Sequence, residues 1–282
     1  MYPVILRIGS FTIDSYGVMM AIGFLVADVI ITREFRRRRI PVNVAGNVIL
    51  AGIIGGIVGA KLFYVFERPE IFLEHPLTTI FSGSGLTWYG GFIVAWFAVW
   101  WVFKRGKVPL LLGSDAITPA LCLGYGFGRL GCFLSGDGCY GIACCVGDAV
   151  AGCETMLPVP LCMAFPEGVA PTTIPVLNTP LWEFTGAALT CIWLMWRSRS
   201  PRTPGGIFAE WFMIHAVLRF SVEFVRRNPR HAFGIEIGLT QAQFISILMF
   251  AAGLAYIIWS RKKDPDNTGI LPEPAKAAKQ KS

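Results

Sequence analysis

The stretch Gly126-Phe-Gly-Arg-Leu-Gly-Cys-Phe-Leu-Ser-Gly-Asp-Gly-Cys-Tyr-Gly141 decides how the rest of the chain is interpreted. It closes an apolar run long enough to lie inside a membrane, with Arg129 inside that run and Asp137 just beyond it. A charged side chain near the middle of a bilayer costs about 2.5 to 3.5 kcal/mol even on insertion scales. Such a charge needs a reason, and we infer that the reason is an anionic lipid headgroup.

Composition sets the class of protein. The 282 residues are 54% hydrophobic and only 15% charged, with a mean hydropathy of +0.56. Soluble domains carry about 25% charged residues, so these values are typical of a polytopic membrane protein. The net charge of +7 is divided into short basic runs between apolar segments. That distribution is a topological pattern, and it argues against a nucleic-acid partner.

Apolar runs of about 20 residues, the length that crosses a bilayer, predict an all-α fold with seven transmembrane helices. The first run lacks the basic start and the cleavage site of a signal peptide, so we expect it to be retained. Residues 1–263 are predicted to form a single membrane domain, and residues 264–282 a disordered cytoplasmic tail. The predicted spans are 15–32, 44–66, 87–103, 113–134, 180–196, 205–226 and 239–259.

Orientation follows from the loops that carry Lys and Arg, because such loops remain in the cytoplasm. Basic runs follow the first, third, fifth and seventh spans: Arg36 to Arg39, Lys104 to Lys107, Arg197 to Arg202 and Arg261 to Lys263. This places the N-terminus outside and the C-terminus in the cytoplasm of a multi-pass protein. The segment Ser135 to Leu177 contains no Lys or Arg. It is predicted to form a small extracytoplasmic cap over residues 135–177.

Five of the eight cysteines fall in the predicted cap: Cys139, Cys144, Cys145, Cys153 and Cys162. An extracytoplasmic location permits disulfides, and a small cap with little core gains from them. Because five is an odd number, at least one of these thiols is either unpaired or paired with Cys132. We expect two disulfides, whose pairing the sequence leaves open. No CxxC pair is present and no His accompanies these cysteines, so the spacing predicts no metal site.

A glycine-rich run precedes an intramembrane lysine, Lys61. Gly52 with Gly56, and Gly55 with Gly59, form two pairs of small residues at helical spacing, which are typical of close helix packing. Lys61 then has two interpretations. Its amine reaches the nearer interface along its own apolar stem, or it contacts a phosphate.

Arg219, Glu223 and Arg226 stand at i, i+4 and i+7 and are predicted to share one face of the sixth span. The charged residues on such a face either form a structural ion-pair network or hold one arginine in place to bind an anion. Guanidinium groups suit phosphate because their planar donors match its oxygens and stay charged when desolvated. Asp137, among glycines past the fourth span, is either a turn residue or part of the same headgroup site.

Several of these motifs resemble prolipoprotein diacylglyceryl transferases of bacterial inner membranes, over most of residues 10 to 260. The resemblance implies a seven-span enzyme that moves the diacylglyceryl group of phosphatidylglycerol to a cysteine thiol. That cysteine lies in the lipobox of a preprolipoprotein signal peptide, the product is a thioether, and glycerol phosphate is released. The motifs are Ser15-Tyr-Gly17, Tyr89-Gly-Gly91, Ser114-Asp115, Gly128-Arg-Leu-Gly131 with Phe133 and Gly136, Thr179-Pro-Leu-Trp-Glu183 and Arg219-Phe-Ser-Val-Glu-Phe-Val-Arg226.

The resemblance also implies roles for individual residues. Arg129 and Arg219 are expected to hold and neutralise the phosphate as it leaves. The other candidate catalytic residues are Tyr89, Asp137 and Glu223. The remaining candidates for substrate binding are Tyr16, Lys61, Cys132, Gly141 and Arg226. No cofactor is expected, and the expected partners are phosphatidylglycerol and preprolipoprotein signal peptides.

Three positions differ from the family pattern. Tyr89-Gly-Gly stands in place of His-Gly-Gly, Cys132 in place of Asn, and Leu177-Asn178 in place of His-Pro. The replaced His of the first motif is a candidate base for the acceptor thiol, and tyrosine is a poor base at neutral pH. The sequence therefore leaves two functions open. One is an active transferase, and the other is a non-catalytic paralogue that binds anionic phospholipid.

Overall fold

A computed structural model describes residues 2–9, 11–74, 76–81, 87–144, 161–200, 203–226, 228 and 238–261. Helices dominate this part of the chain. They are α1 (Ser15–Arg37), α2 (Asn43–Glu67), α3 (Pro69–Glu74), α4 (Pro76–Phe81), α5 (Trp88–Arg105), α6 (Leu110–Ser135), α7 (Thr179–Arg197), α8 (Gly206–Glu223) and α9 (Gln241–Arg261). The predicted tail at 264–282 lies outside the described residues.

Each of the seven predicted apolar segments overlaps one long helix. Four of these helices, α1, α2, α6 and α9, are long and apolar enough to cross a membrane. A mostly helical chain with four helices that could cross a membrane agrees with the prediction, while the count of seven spans stays a prediction.

Two short hairpins were not predicted, so the purely helical expectation is wrong in detail. Strands β1 (Val4–Ile8) and β2 (Phe11–Asp14) pair antiparallel ahead of α1. Strands β3 (Cys162–Phe165) and β4 (Thr172–Leu177) form a second hairpin inside the predicted cap. These strands are four to six residues long, which is enough for a strand but far shorter than the apolar runs of about 20 residues used to predict the spans. The cap as a whole stays a prediction, because residues 145–160 lie outside the described part.

The chain forms two compact units. Among the described residues, the first contains the chain up to Ile30 and from Ile117 onward, and the second contains Ile31–Ala116. In the second unit α2 packs against α5. A Cβ on Gly59 would lie 2.4 Å from the carbonyl oxygen of Gly90, and one on Gly55 would lie 2.9 Å from Cα of Ala95. The Gly55 and Gly59 pair therefore serves close helix packing, as predicted. The same prediction for Gly52 and Gly56 is wrong, because a Cβ on either residue would meet no atom within 4 Å.

Packing also explains the glycines of the Tyr-Gly-Gly motif. Gly90 faces Gly59, and a Cβ on Gly91 would lie 2.9 Å from the carbonyl oxygen of Gly56. These two residues of the motif therefore have a structural role in the contact between α2 and α5.

In the first unit, α7 packs on α8 and α8 on α9. The buried core between the helices contains Cys122, Ala187, Leu194 and Ile207. Cys144 and Cys162 form a disulfide, which confirms one of the two expected bridges. Of the other three candidates, Cys139 forms no disulfide in the part of the chain that the structure describes, and Cys145 and Cys153 lie outside the described residues.

Substitution of Gly59 tests the contact between α2 and α5. We expect Gly59→Ala to be less stable than Gly52→Ala by about 1 to 3 kcal/mol, because its methyl group has no room between the helices. Gly52→Ala is the matched control, since a Cβ there meets no atom within 4 Å and both changes gain the same helix propensity. Thermal unfolding of both variants in one detergent measures the difference. Equal stability of the two would contradict the packing.

Candidate active site

A tight turn follows α6 and brings two functional groups back toward its last turns. The N–H of Gly136 donates to the carbonyl of Cys132 at 3.0 Å, which ends the helix. Gly136 has φ of +61° and Gly138 has φ of +89°, both in the left-handed region that favours glycine. Asp137 lies between these two glycines, and its Oδ1 accepts a hydrogen bond from the backbone N–H of Cys139 at 3.1 Å. The turn thus fixes the backbone of Asp137 and of Cys139.

The start of α7 anchors the same turn. The hydroxyl of Thr179 donates to the carbonyl of Cys139 at 2.7 Å. The N–H of Gly141 donates to the carbonyl of Leu177 at 2.8 Å, and Gly141 also forms an isolated bridge with Arg226. A Cβ on Gly141 would lie 2.6 Å from the carbonyl oxygen of Val225. Gly141 therefore allows the close approach that positions Arg226.

Glu183 on α7 is the centre of the site. Its carboxylate meets three guanidinium groups: Arg129 Nε at 3.3 Å, Arg219 Nη1 at 3.4 Å and Arg226 Nη1 at 3.6 Å. The Glu183 side chain is only 3% exposed, and those of the three arginines are between 11% and 18% exposed. A buried carboxylate that meets several guanidinium groups holds them together.

Tyr125 completes the contacts around Glu183. Its hydroxyl donates to Oε1 of Glu183 at 2.6 Å and accepts from Nε of Arg129 at 3.1 Å. Tyr125 precedes Arg129 by four residues, so both side chains extend from one face of α6. The tyrosine therefore fixes the orientation of the Arg129 guanidinium.

A second carboxylate, Glu223, ends α8. Arg219 Nη2 lies 2.7 Å from its Oε2, and Asn228 Nδ2 donates to its Oε1 at 2.5 Å. The prediction that Arg226 shares a helix face with Arg219 and Glu223 is wrong, because α8 ends at Glu223. The carbonyl of Val225 instead accepts a hydrogen bond from Ile142 at 2.8 Å, so this segment pairs with the loop after α6. Arg226 reaches Glu183 from the segment after α8.

The network carries more positive than negative charge. Three guanidinium and two carboxylate groups leave a net charge of +1. The arginines also have more N–H donors than two carboxylates can accept, and the buried Nη1 of Arg226 makes no hydrogen bond to any residue that the structure describes. Both imbalances are relieved by an anion with several oxygens.

Two thiols and a carboxylate lie beside Arg129. The sulfur atoms of Cys132 and Cys139 and a carboxylate oxygen of Asp137 all lie within 4.8 Å of one another. Arg129 Nη1 donates to Sγ of Cys139 at 3.6 Å. A hydrogen bond from the Cys132 thiol lowers the pKa of Cys139 to about 7. Burial and the nearby Asp137 oppose this shift, and Arg129 supports it. Cys139 is thus held in an environment that favours a thiolate.

Tyr16 marks the exposed edge of this region. A Cβ on Gly131 would lie 2.9 Å from the Tyr16 ring, so α1 and α6 approach closely there. Tyr16 is 43% exposed, and Asp137 is also exposed. Glu183 also lines a cavity of about 30 Å³, together with Tyr125, His215 and Arg219. That volume suits one or two water molecules and is too small for a headgroup.

The first unit therefore brings together most of the predicted site residues: Tyr16, Arg129, Cys132, Asp137, Gly141, Arg219, Glu223 and Arg226. Lys61 and Tyr89 belong to the second unit. Lys61 Nζ donates to the carbonyl of Thr79 at 2.9 Å, and Tyr89 lies in the first turn of α5. The proposed roles of these two residues stay predictions.

Sequence reasoning missed the central carboxylate. Glu183 appears in the sequence as one residue of a motif, although an acidic residue inside a predicted span is itself a functional indication. The i, i+4 spacing of Tyr125 and Arg129 was a second available indication. Cys139 was assigned to the cap because of its position after the fourth span, whereas the glycine turn returns it to Arg129.

Comparison with known proteins agrees with this geometry. Residues 3–259 match the family model of prolipoprotein diacylglyceryl transferase. Proteins named phosphatidylglycerol–prolipoprotein diacylglyceryl transferase are similar over most of their length. The protein of Leptospira interrogans serogroup Icterohaemorrhagiae serovar copenhageni is 30% identical, over 91% of this chain and 92% of the relative. That of Clostridium tetani is 31% identical, over 90% of this chain and 96% of the relative. That of Chromohalobacter salexigens is 32% identical, over 94% of both chains. The chain belongs to the prolipoprotein diacylglyceryl transferase family.

Proposed function

We propose that this protein transfers the diacylglyceryl group of phosphatidylglycerol to the lipobox cysteine of a preprolipoprotein. The observation that carries the proposal is the cluster of Arg129, Arg219 and Arg226 around the buried Glu183. Its net charge of +1 matches the single negative charge of a phosphodiester. A phosphate at this cluster becomes a better leaving group, because fixed donors stabilise the charge that develops on its oxygens.

The reaction divides the work between two groups of side chains. The acceptor sulfur attacks the glyceryl carbon next to the phosphate, and the carbon–oxygen bond breaks with its electron pair on the phosphate oxygen. Glycerol phosphate leaves and takes up the proton that the thiol has lost. The arginines act on the leaving group, while the exposed side near Tyr16 and Asp137 admits the acceptor. Glu183 and Tyr125 are positioning residues, since they hold the guanidinium groups in place.

The topology that this function requires is consistent with the sequence. Phosphatidylglycerol and a translocating signal peptide meet at the outer face of the bacterial inner membrane. The Lys- and Arg-free segment from Ser135 to Leu177 supports placing the end of α6 and the start of α7 at that face. The proposal therefore includes seven spans, an outer N-terminus and a cytoplasmic C-terminus. The Cys144–Cys162 disulfide supports it, because disulfides persist outside the cytoplasm.

The direct test mixes purified protein in detergent with phosphatidylglycerol and a lipobox peptide. We expect mass spectrometry to show the peptide with an added diacylglyceryl group, released glycerol phosphate, and no product from Arg129→Ala. Binding of phosphatidylglycerol that depends on Arg129 without any product would instead identify the non-catalytic phospholipid-binding paralogue.

Arg219→Lys tests whether planar donors are required. Lysine keeps the charge but cannot contact Glu183, Glu223 and a phosphate together, so we expect kcat/KM to fall about 100- to 1,000-fold. Arg197→Lys is the matched control, because Arg197 is also an α7 to α8 ion-pair partner, 2.9 Å from Glu210. It lies 14 residues beyond Glu183, about 21 Å along α7. Equal rates for the two variants would remove the phosphate role of Arg219.

Glu183→Gln separates positioning from binding. The change raises the net charge of the cluster, so we expect affinity for phosphatidylglycerol to be retained, while kcat falls about 10- to 100-fold because the guanidinium groups lose their fixed geometry. Glu210→Gln provides the control for loss of an α7 to α8 ion pair. A rise in KM with an unchanged kcat would contradict the positioning role.

A further inference from the structure

Cys132, Asp137 and Cys139 have the geometry of a metal site. Within the part of the chain that the structure describes, they are the one group of three His, Cys, Asp or Glu residues with ligand atoms inside 4.8 Å of one another. The sequence predicted no metal site, because the spacing of these residues matches no standard zinc motif. The turn at Gly136 and Gly138 supplies the convergence that the spacing alone does not show.

The donor set suits zinc. Thiolates are soft ligands that select zinc over magnesium or calcium, and one carboxylate oxygen is compatible with a tetrahedral site. Three protein ligands with a fourth position left to water or substrate are the arrangement of catalytic zinc, whereas structural zinc has four protein ligands. Cys132 is buried and Asp137 is exposed, so the cluster is open to solvent on the Asp137 side.

The surroundings support the same ion. The backbone of Cys139 is fixed by Thr179 at 2.7 Å and by Asp137 at 3.1 Å. Arg129 Nη1 donates to Cys139 Sγ at 3.6 Å, and such an outer contact orients a thiolate ligand. Two thiolates and one carboxylate carry three negative charges, of which Zn²⁺ would offset two.

We propose that Cys132, Asp137 and Cys139 bind a zinc ion whose fourth position takes the sulfur of the acceptor cysteine. This inference rests on the proposed transferase function and names how that reaction activates its thiol. It also accounts for two of the departures from the family pattern at once. Cys132 is a ligand where the family has Asn, and the zinc replaces the base that is missing where Tyr89 stands for His.

The chemical step then needs no general base of suitable pKa. A thiol that coordinates zinc is deprotonated, and its proton passes to water. The zinc-bound sulfur attacks the glyceryl carbon, a sulfur–carbon bond forms, and the carbon–oxygen bond to phosphate breaks. The oxygen keeps the electron pair, and the departing glycerol phosphate takes up a proton from water. The thioether is a weaker ligand than the thiolate, so the product leaves the metal.

Metal binding is tested without substrate. Protein purified without reductant and freed of metal is titrated with Co²⁺, whose thiolate charge-transfer absorption reports sulfur ligands, and then with Zn²⁺, which should displace it at one ion per chain. We expect Cys132→Ser and Cys139→Ser to weaken binding at least ten-fold, and the exposed Asp137→Asn to weaken it while keeping the absorption. Cys191→Ser is the control, since Cys191 lies 12 residues, about 18 Å, along α7 from Thr179.

Two results would overturn the site. One is the absence of the charge-transfer band in protein whose Cys132 and Cys139 are shown by alkylation to be reduced. The other is equal metal binding by Cys139→Ser and Cys191→Ser. Thermal unfolding of every variant shows whether a lost absorption band reflects a lost fold. If both cysteine variants unfold, the effect of Asp137→Asn on metal affinity decides whether the three residues form the site.

Activity separates the two proposals. We expect the metal-free protein to transfer at least 100-fold more slowly and Zn²⁺ to restore the rate, while Arg129-dependent binding of phosphatidylglycerol stays unchanged. Full transfer by metal-free protein would overturn the zinc proposal and leave the transferase function intact. Stoichiometric zinc in a protein that never forms product would overturn the function and leave the metal site.

Discussion

The buried carboxylate of Glu183 is the interaction on which the rest of the site depends. It draws Arg129 from α6, Arg219 from α8 and Arg226 from the segment after α8 to a single point. An isolated buried charge costs several kcal/mol, so neither the glutamate nor the arginines are stable there alone. Their mutual pairing holds α7 to these three elements and still leaves N–H donors unused. The same arrangement therefore stabilises the bundle and keeps it receptive to an anion.

The turn after α6 is the second organising feature. A helix that continued past Ser135 would carry Asp137 and Cys139 away from Arg129. The left-handed conformations of Gly136 and Gly138 reverse the chain, and Gly141 then allows it to approach the carbonyl of Val225. Glycine is required here for backbone reasons, while the residues between the glycines carry the chemistry. This division explains why the stretch from Gly126 to Gly141 is so rich in both.

The length of the apolar runs predicted all seven long helices, because crossing a bilayer imposes a simple constraint on length. The cost of a charge in the membrane likewise identified Arg129 and Arg219. The rest depended on tertiary contacts. No local pattern shows that α8 ends at Glu223, since that end is set by pairing between Val225 and Ile142. The grouping of Cys132 with Cys139 is equally invisible in a linear sequence, because a turn creates it. Glu183 could have been predicted in the same way, because it is also a charged residue inside a predicted span.

The bond between Cys144 and Cys162 joins the segment after Gly141 to the β3–β4 hairpin, beside the pairing of Ala143 with Val176. The molecule thus needs one pair of its own sulfur atoms oxidised in order to shape the loop that positions Arg226. Its acceptor, in contrast, reacts only as a reduced thiol. The protein therefore has opposite redox requirements for its maturation and for its substrate, and a strong reductant that protects an acceptor peptide also threatens the architecture of the loop.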